Sequence, residues 1–133
     1  MGFRLGAAWR RLDRLFNRVY QPLGLSHAHA QLLLCVLEQK EIRMADIVPL
    51  TGLTQPTISR LSAYLSKHRY IRRKKDPDDA RSSLLSPAKR AITLRSELLR
   101  LQAVVDQMVH RNLAEADVEE LRRMLDLMVP YVR

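Results

Sequence analysis

The stretch DIVPLTGLTQPTISRLSAYL at residues 46–65 constrains this chain more than any other. Gly52 divides it. Residues 44–51 make a short helical element, in which Pro49 removes one backbone hydrogen bond at a cost of up to about 3 kcal/mol. Beyond the glycine, Thr54 is placed to cap a helix running to about Lys67, with Ile58, Leu61 and Leu65 at the 3- and 4-residue spacing of one buried face. Two short helices joined by a tight glycine turn form a helix-turn-helix. Neither helix is long enough to bury its apolar face alone, so the flanks must supply the rest of a core.

Both flanks do. From Phe3 to Tyr20, Leu5, Ala8, Trp9, Leu12, Leu15, Phe16 and Val19 line one side of an amphipathic helix, which Pro22 and Gly24 end. Ser26 is the expected N-cap of a second helix reaching Gln39. Its centre, Leu32 to Leu37, is apolar all round and belongs in the middle of the core. After the helix-turn-helix the character changes. Tyr70 to Lys75 reads as a strand, Asp76-Pro77-Asp78-Asp79 as a turn, and Arg81 to Leu85 as the returning strand. A basic hairpin in this position is a wing. Pro87 suits the first turn of a long helix carrying Ile92, Leu94, Leu98, Leu101, Val105 and Val109, and Glu115 to Val129 is a last helix. The expected fold is therefore mainly α with a small β-wing. The two terminal helical regions carry more apolar surface than a winged domain of about 65 residues can cover, which predicts burial against a second copy in a homodimer.

Charge points to the partner. The chain carries a net charge of +9. Between Thr54 and Arg90 the local charge is +7, leaving only +2 for the other 96 residues. A solvated charged face mixes both signs, whereas a concentrated basic segment is the footprint of a polyanion such as double-stranded DNA. The one cysteine, Cys35, excludes an internal disulfide, and no run of about 18 apolar residues spans a membrane. The arginines scattered through the first 15 residues do not resemble a secretory signal. The expected location is cytoplasmic.

Gly24-Leu25-Ser26, then residues 46–65, then IRRKKDPDDARSSLLS at 71–86, follow each other in an order and spacing that resembles the MarR family of transcriptional regulators. That family has a similar start to its second helix and a wing core of the form D-P-x-D-x-R, here Asp76 to Arg81. The resemblance covers nearly the whole chain. It implies a single domain over 1–133, with a winged helix-turn-helix DNA-binding part at 26–86 and dimerisation helices at 1–21 and 91–133. It also implies a ligand-responsive repressor on a pseudo-palindromic operator. Three positions depart from the family pattern. Arg69 stands where a glycine usually ends the fourth helix, Lys89 replaces another glycine, and the returning strand of the wing is about two residues short.

Residue chemistry nominates the contacts. The start of a recognition helix faces base edges in the major groove, so Thr54, Gln55, Thr57, Ser59 and Arg60 are candidates. Gln pairs bidentately with adenine and Arg with guanine, while Thr54 and Thr57 also suit simple capping. On the wing, Arg73, Lys74, Lys75 and Arg81 can neutralise phosphates or enter a narrow minor groove. Asp79, two residues before Arg81, is placed to orient the guanidinium on an extended hairpin, as the resemblance implies. The family commonly binds small aromatic or anionic effectors beside its dimer helices, and Trp9, His27 and His29 are the candidates for such a pocket. No catalytic set, metal-ligand spacing or cofactor motif is present: the four histidines are scattered, and Cys35 sits in the most apolar helix. The competing reading is a winged-helix protein–protein interaction module engaging an acidic partner.

Overall fold

The computed structural model describes residues 1–128. Met1–Leu101 forms one compact unit, and the chain from Gln102 onward forms a second. The first unit opens with α1 (Gly2–Tyr20), whose end is shaped by a single 3-10 turn, Gln21–Leu23, and by Gly24 at φ 69°. Next come α2 (His27–Gln39), β1 (Ile42–Arg43), α3 (Met44–Thr51) and α4 (Gln55–Lys67). The hairpin β2 (Ile71–Lys75) and β3 (Ser83–Pro87) follows, and then α5 (Lys89–His110) leads out of the unit. The second unit holds the end of α5 and α6 (Glu115–Met128). The last residue of the final helix expected from sequence, Val129, lies outside the described residues.

The all-apolar centre of α2 decides the packing. Leu32, Leu33 and Val36 are fully buried, as are Ile47 of α3, Ile58 and Leu65 of α4, and Leu85 of β3. The α2 helix touches α1, α3, α4 and β3, so it is the axis on which the unit is built. Its N-terminus is closed by a capping box. The Ser26 hydroxyl accepts the His29 backbone N–H at 3.1 Å, and the Ser26 N–H donates to the Nδ1 of His29 at 3.1 Å. Gly52 ends α3 at φ 73°, the left-handed conformation for which glycine carries no steric cost. Pro49 is the sixth of eight residues in α3, past the first turn, so its missing amide leaves a gap in the helix ladder.

The sheet has three antiparallel strands in the order β1-β3-β2. Ile42 pairs with Leu85, while Ile71 pairs with Pro87 and Lys75 with Ser83. Two sequence expectations are corrected here. The returning strand runs Ser83–Pro87 rather than Arg81 to Leu85, because residues 76–82 are all used in the turn. Pro87 therefore closes the strand, and α5 begins two residues later at Lys89. The two-residue strand β1 was not expected at all. It exists only because Leu85, more than 40 residues away, offers it a partner.

The apolar surplus at the N-terminus is real. Phe3 is 93% exposed and Trp9 51%, with Leu5 and Leu15 also open, while only Phe16 and Tyr20 of α1 are buried. Within the second unit, Met124, Leu125 and Leu127 of α6 are exposed. Among the described residues no helix is long and apolar enough to cross a membrane.

Candidate nucleic-acid interface

The helix α4 is anchored by its inner face and leaves its outer face free. Ile58, Leu61 and Leu65 are buried, which turns Gln55, Ser59 and Arg60 to solvent. Pro56 lies in the first turn, where its missing amide costs nothing. Thr54 takes the N-cap backbone position, but its hydroxyl does not cap. It donates instead to the Thr57 hydroxyl at 2.9 Å. This pair binds the two threonines to each other, so Gln55, Ser59 and Arg60 are the side chains the helix presents unengaged. The Tyr64 hydroxyl donates to the Gly24 carbonyl at 2.8 Å and fixes the far end of α4 against the α1–α2 connection.

The hairpin supplies the charge. Arg72, Arg73, Lys74 and Lys75 are all exposed along β2. Their engagement differs: the Lys74 ammonium sits 3.0 Å from a Glu41 carboxylate oxygen, whereas Lys75 and Arg81 have no ion-pair partner among the described residues. The turn is organised by Asp76, which is only 3% exposed. One of its carboxylate oxygens accepts the Asp78 N–H at 2.9 Å, and the other lies 2.7 Å from Arg43 Nε. Arg43 also reaches Asp78 at 3.1 Å. Sequence reasoning missed Arg43 entirely. The one available signal was an arginine where a short polar N-cap belongs: Arg43 takes the N-cap position of α3 with no capping side-chain bond.

Asp79 behaves differently from the sequence expectation. Its carboxylate accepts the backbone N–H of Arg81 at 2.9 Å, and its carbonyl accepts the Ser82 N–H at 3.0 Å. The segment is a tight turn, so the two-residue alternation of an extended strand does not apply. Asp79 shapes the loop that carries Arg81 and leaves its guanidinium unpaired.

The three candidate effector residues are not brought together. His27 is buried among Trp9, Phe16 and Tyr20, with its ring centroid 5.0 Å from that of Phe16. His29 points the other way, to a centroid distance of 4.4 Å from Tyr64. It lines a cleft of about 430 Å³ with Asp13, Asn17, Thr57 and Arg60, which Trp9 and His27 do not line. Burial lowers the pKa of both histidines. For His29 the nearby positive charges of Arg60 and His68 lower it further, while for His27 the Asp13 carboxylate opposes the shift. Burial, with the Glu38 charge second, pushes the Cys35 thiol up and away from thiolate chemistry. Among the described residues no group of histidine, cysteine and carboxylate side chains could hold a metal ion.

A helix-turn-helix followed by a basic antiparallel hairpin defines the winged helix-turn-helix class. Residues 23–82 match the MarR family model, so the winged helix-turn-helix part of the chain is similar to that family. Solved structures agree on the fold. A mutant MarR from E. coli complexed with operator DNA superposes with a TM-score of 0.83 at 19% identity, over 96% of this chain and 91% of that one. A MarR family transcriptional regulator from Listeria monocytogenes complexed with 26mer DNA gives 0.81 at 19% identity, over 99% and 91%. A MarR protein from Peptoclostridium difficile gives 0.85 at 17% identity, over 97% and 84%. No curated protein matches the sequence at a significant level.

Proposed function

We propose that the protein is a homodimeric repressor that binds a pseudo-palindromic DNA operator and releases it in response to a small aromatic or anionic effector. The observation that carries this reading is the unengaged face of α4, with Gln55, Ser59 and Arg60 exposed beside a hairpin whose Lys75 and Arg81 lack counter-ions among the described residues. In this reading Gln55, Ser59 and Arg60 read base edges, Thr54 and Thr57 hold the start of the helix, and Arg73, Lys74, Lys75 and Arg81 contact phosphates or the minor groove. Asp79 positions Arg81 through the backbone. That a similar fold has been seen on operator DNA in the E. coli protein supports the assignment.

The dimer is supported by the exposed apolar side of α1, notably Phe3, Leu5 and Trp9. Two copies related by a two-fold axis would present two reading helices about one DNA turn apart, which is why the operator should be pseudo-palindromic. The effector is placed in the cleft lined by His29, Thr57 and Arg60, because an occupant there would touch α2 and the reading helix together. An effector acts to the extent that it prefers the conformation unable to bind DNA. Footprinting on the protein's own genomic DNA tests the reading directly. Protected sites with two-fold symmetry are expected, and binding that is insensitive to sequence and salt would exclude it.

A further inference from the structure

Far from the tip of the hairpin, four cations converge without a counter-ion. Where α4 ends, β2 begins and α5 begins, a cleft of about 450 Å³ is lined by Arg69, Arg72, Lys89 and Arg90, with Ser66 beside them and no acidic residue. None of the four has an ion-pair partner among the described residues, although Lys74, two positions further along the strand from Arg72, does find Glu41. The pairing of Ile71 with Pro87 marks this as the root of the hairpin. It lies five residue steps, roughly 17 Å, from the turn that begins at Asp76.

Two of the cations are held there by backbone or stacking geometry. Arg69 adopts φ 64°, the left-handed conformation that L side chains take only at a steric cost. It does so to close α4: the Arg69 N–H donates to the Ser66 carbonyl at 3.0 Å and the Tyr70 N–H to the Leu65 carbonyl at 2.9 Å. This is a helix end at which glycine would sit without strain. Arg90 is fixed twice over. It donates to the His68 carbonyl at 2.7 Å, and its guanidinium lies 4.2 Å from the centre of the Tyr70 ring.

We infer that this cleft is a binding site for a small phosphate-bearing anion carrying at least two negative charges. Planar guanidinium forks match phosphate oxygens bidentately, and the cleft volume falls in the range of small-ligand sites. Two or more charges are required because one would not offset the mutual repulsion of four cations. The site shares no residue with the effector cleft beside His29.

Pyrophosphate titrated into the full-length protein by calorimetry at constant ionic strength is the test. Arg69→Gly is the decisive variant, since it removes a cation while relieving the left-handed strain. Its thermal midpoint should stay or rise, so lost binding cannot be blamed on lost folding. Arg69→Gly and Lys89→Ala should each weaken pyrophosphate by about tenfold or more, and neither should change duplex affinity or its salt dependence. Unchanged pyrophosphate binding in both variants would overturn the site. An oligoglutamate peptide binding as tightly as pyrophosphate would overturn the ligand class in favour of an acidic protein. Loss of duplex affinity in both variants, with a shallower salt dependence, would make the cleft part of the DNA footprint instead.

Discussion

The reading helix and the wing stand side by side but are held in place by different forces. The helix α4 is fixed by burial: Ile58 and Leu65 have no exposed surface, and every outward residue follows from that inward face. The wing has a buried residue in each strand, Ile71 and Leu85, and beyond them it rests on ion pairs, Arg43 with Asp76 and Asp78 and Lys74 with Glu41. Apolar burial is insensitive to salt, whereas an ion pair to a half-exposed arginine weakens as salt rises. The element that reads sequence should therefore keep its geometry across conditions, while the element that supplies affinity should loosen.

The largest effect should come from the helix. Leu65→Ala should cost about 2–5 kcal/mol of folding stability, read by denaturant titration, with the same loss at low and high salt. A loss that shrinks in salt would break the contrast. Arg60→Ala should leave stability unchanged but cost about 1–3 kcal/mol of operator binding and relax preference at one base pair per half-site, measured with a panel of operator variants. Asp76→Ala removes a buried carboxylate that organises both the turn and Arg43. Because Arg43 is half exposed, about 1–2 kcal/mol of stability is expected, largest at low salt, together with a shallower salt dependence of duplex binding.

Lys75 and Lys74 sharpen the picture within the wing itself. Lys75→Ala should lower the slope of log affinity against log salt by about one unit, whereas Lys74→Ala should do less, because Lys74 must first leave Glu41. Glu41→Gln should in turn tighten duplex binding slightly. The smallest effect is in pH. His27 and His29 have folded pKa values below the ordinary 6.5, so on acidification the unfolded chain takes up protons before the folded one does. Stability should be level above about pH 6.5 and decline below it, with the denaturant midpoint as the readout. Protonation at Nδ1 of His29 would also remove the acceptor that closes the cap of α2.

The same division explains how much could be read from sequence. Apolar periodicity located α1, α2, α3 and α4 within a residue or two, because the spacing of Ile58, Leu61 and Leu65 is a local property. The wing was placed correctly but its details were not. The strand β1 and the role of Arg43 depend on partners more than 30 residues away in sequence, and the two-residue shift of β3 depends on the hydrogen bonds that close the turn over residues 76–82. The expected pairing of Asp79 with the Arg81 guanidinium failed for a related reason: it assumed extended backbone where the chain turns. The histidines show the limit most plainly. Two residues apart on α2, His27 entered an aromatic cluster and His29 a capping box, and composition alone could not distinguish those fates.

The order β1-β3-β2 also fixes where this domain can accept extra residues. The central strand β3 is gripped on both sides, and its Leu85 is fully buried. A single residue inserted before Leu85 would reverse the alternation of side chains and drive that leucine to the solvent side. Between Pro77 and Ala80 the chain is exposed and no strand pairing is fixed. Longer hairpins, and hence reach to more distant phosphates, can be grafted there while the register of all three strands is preserved.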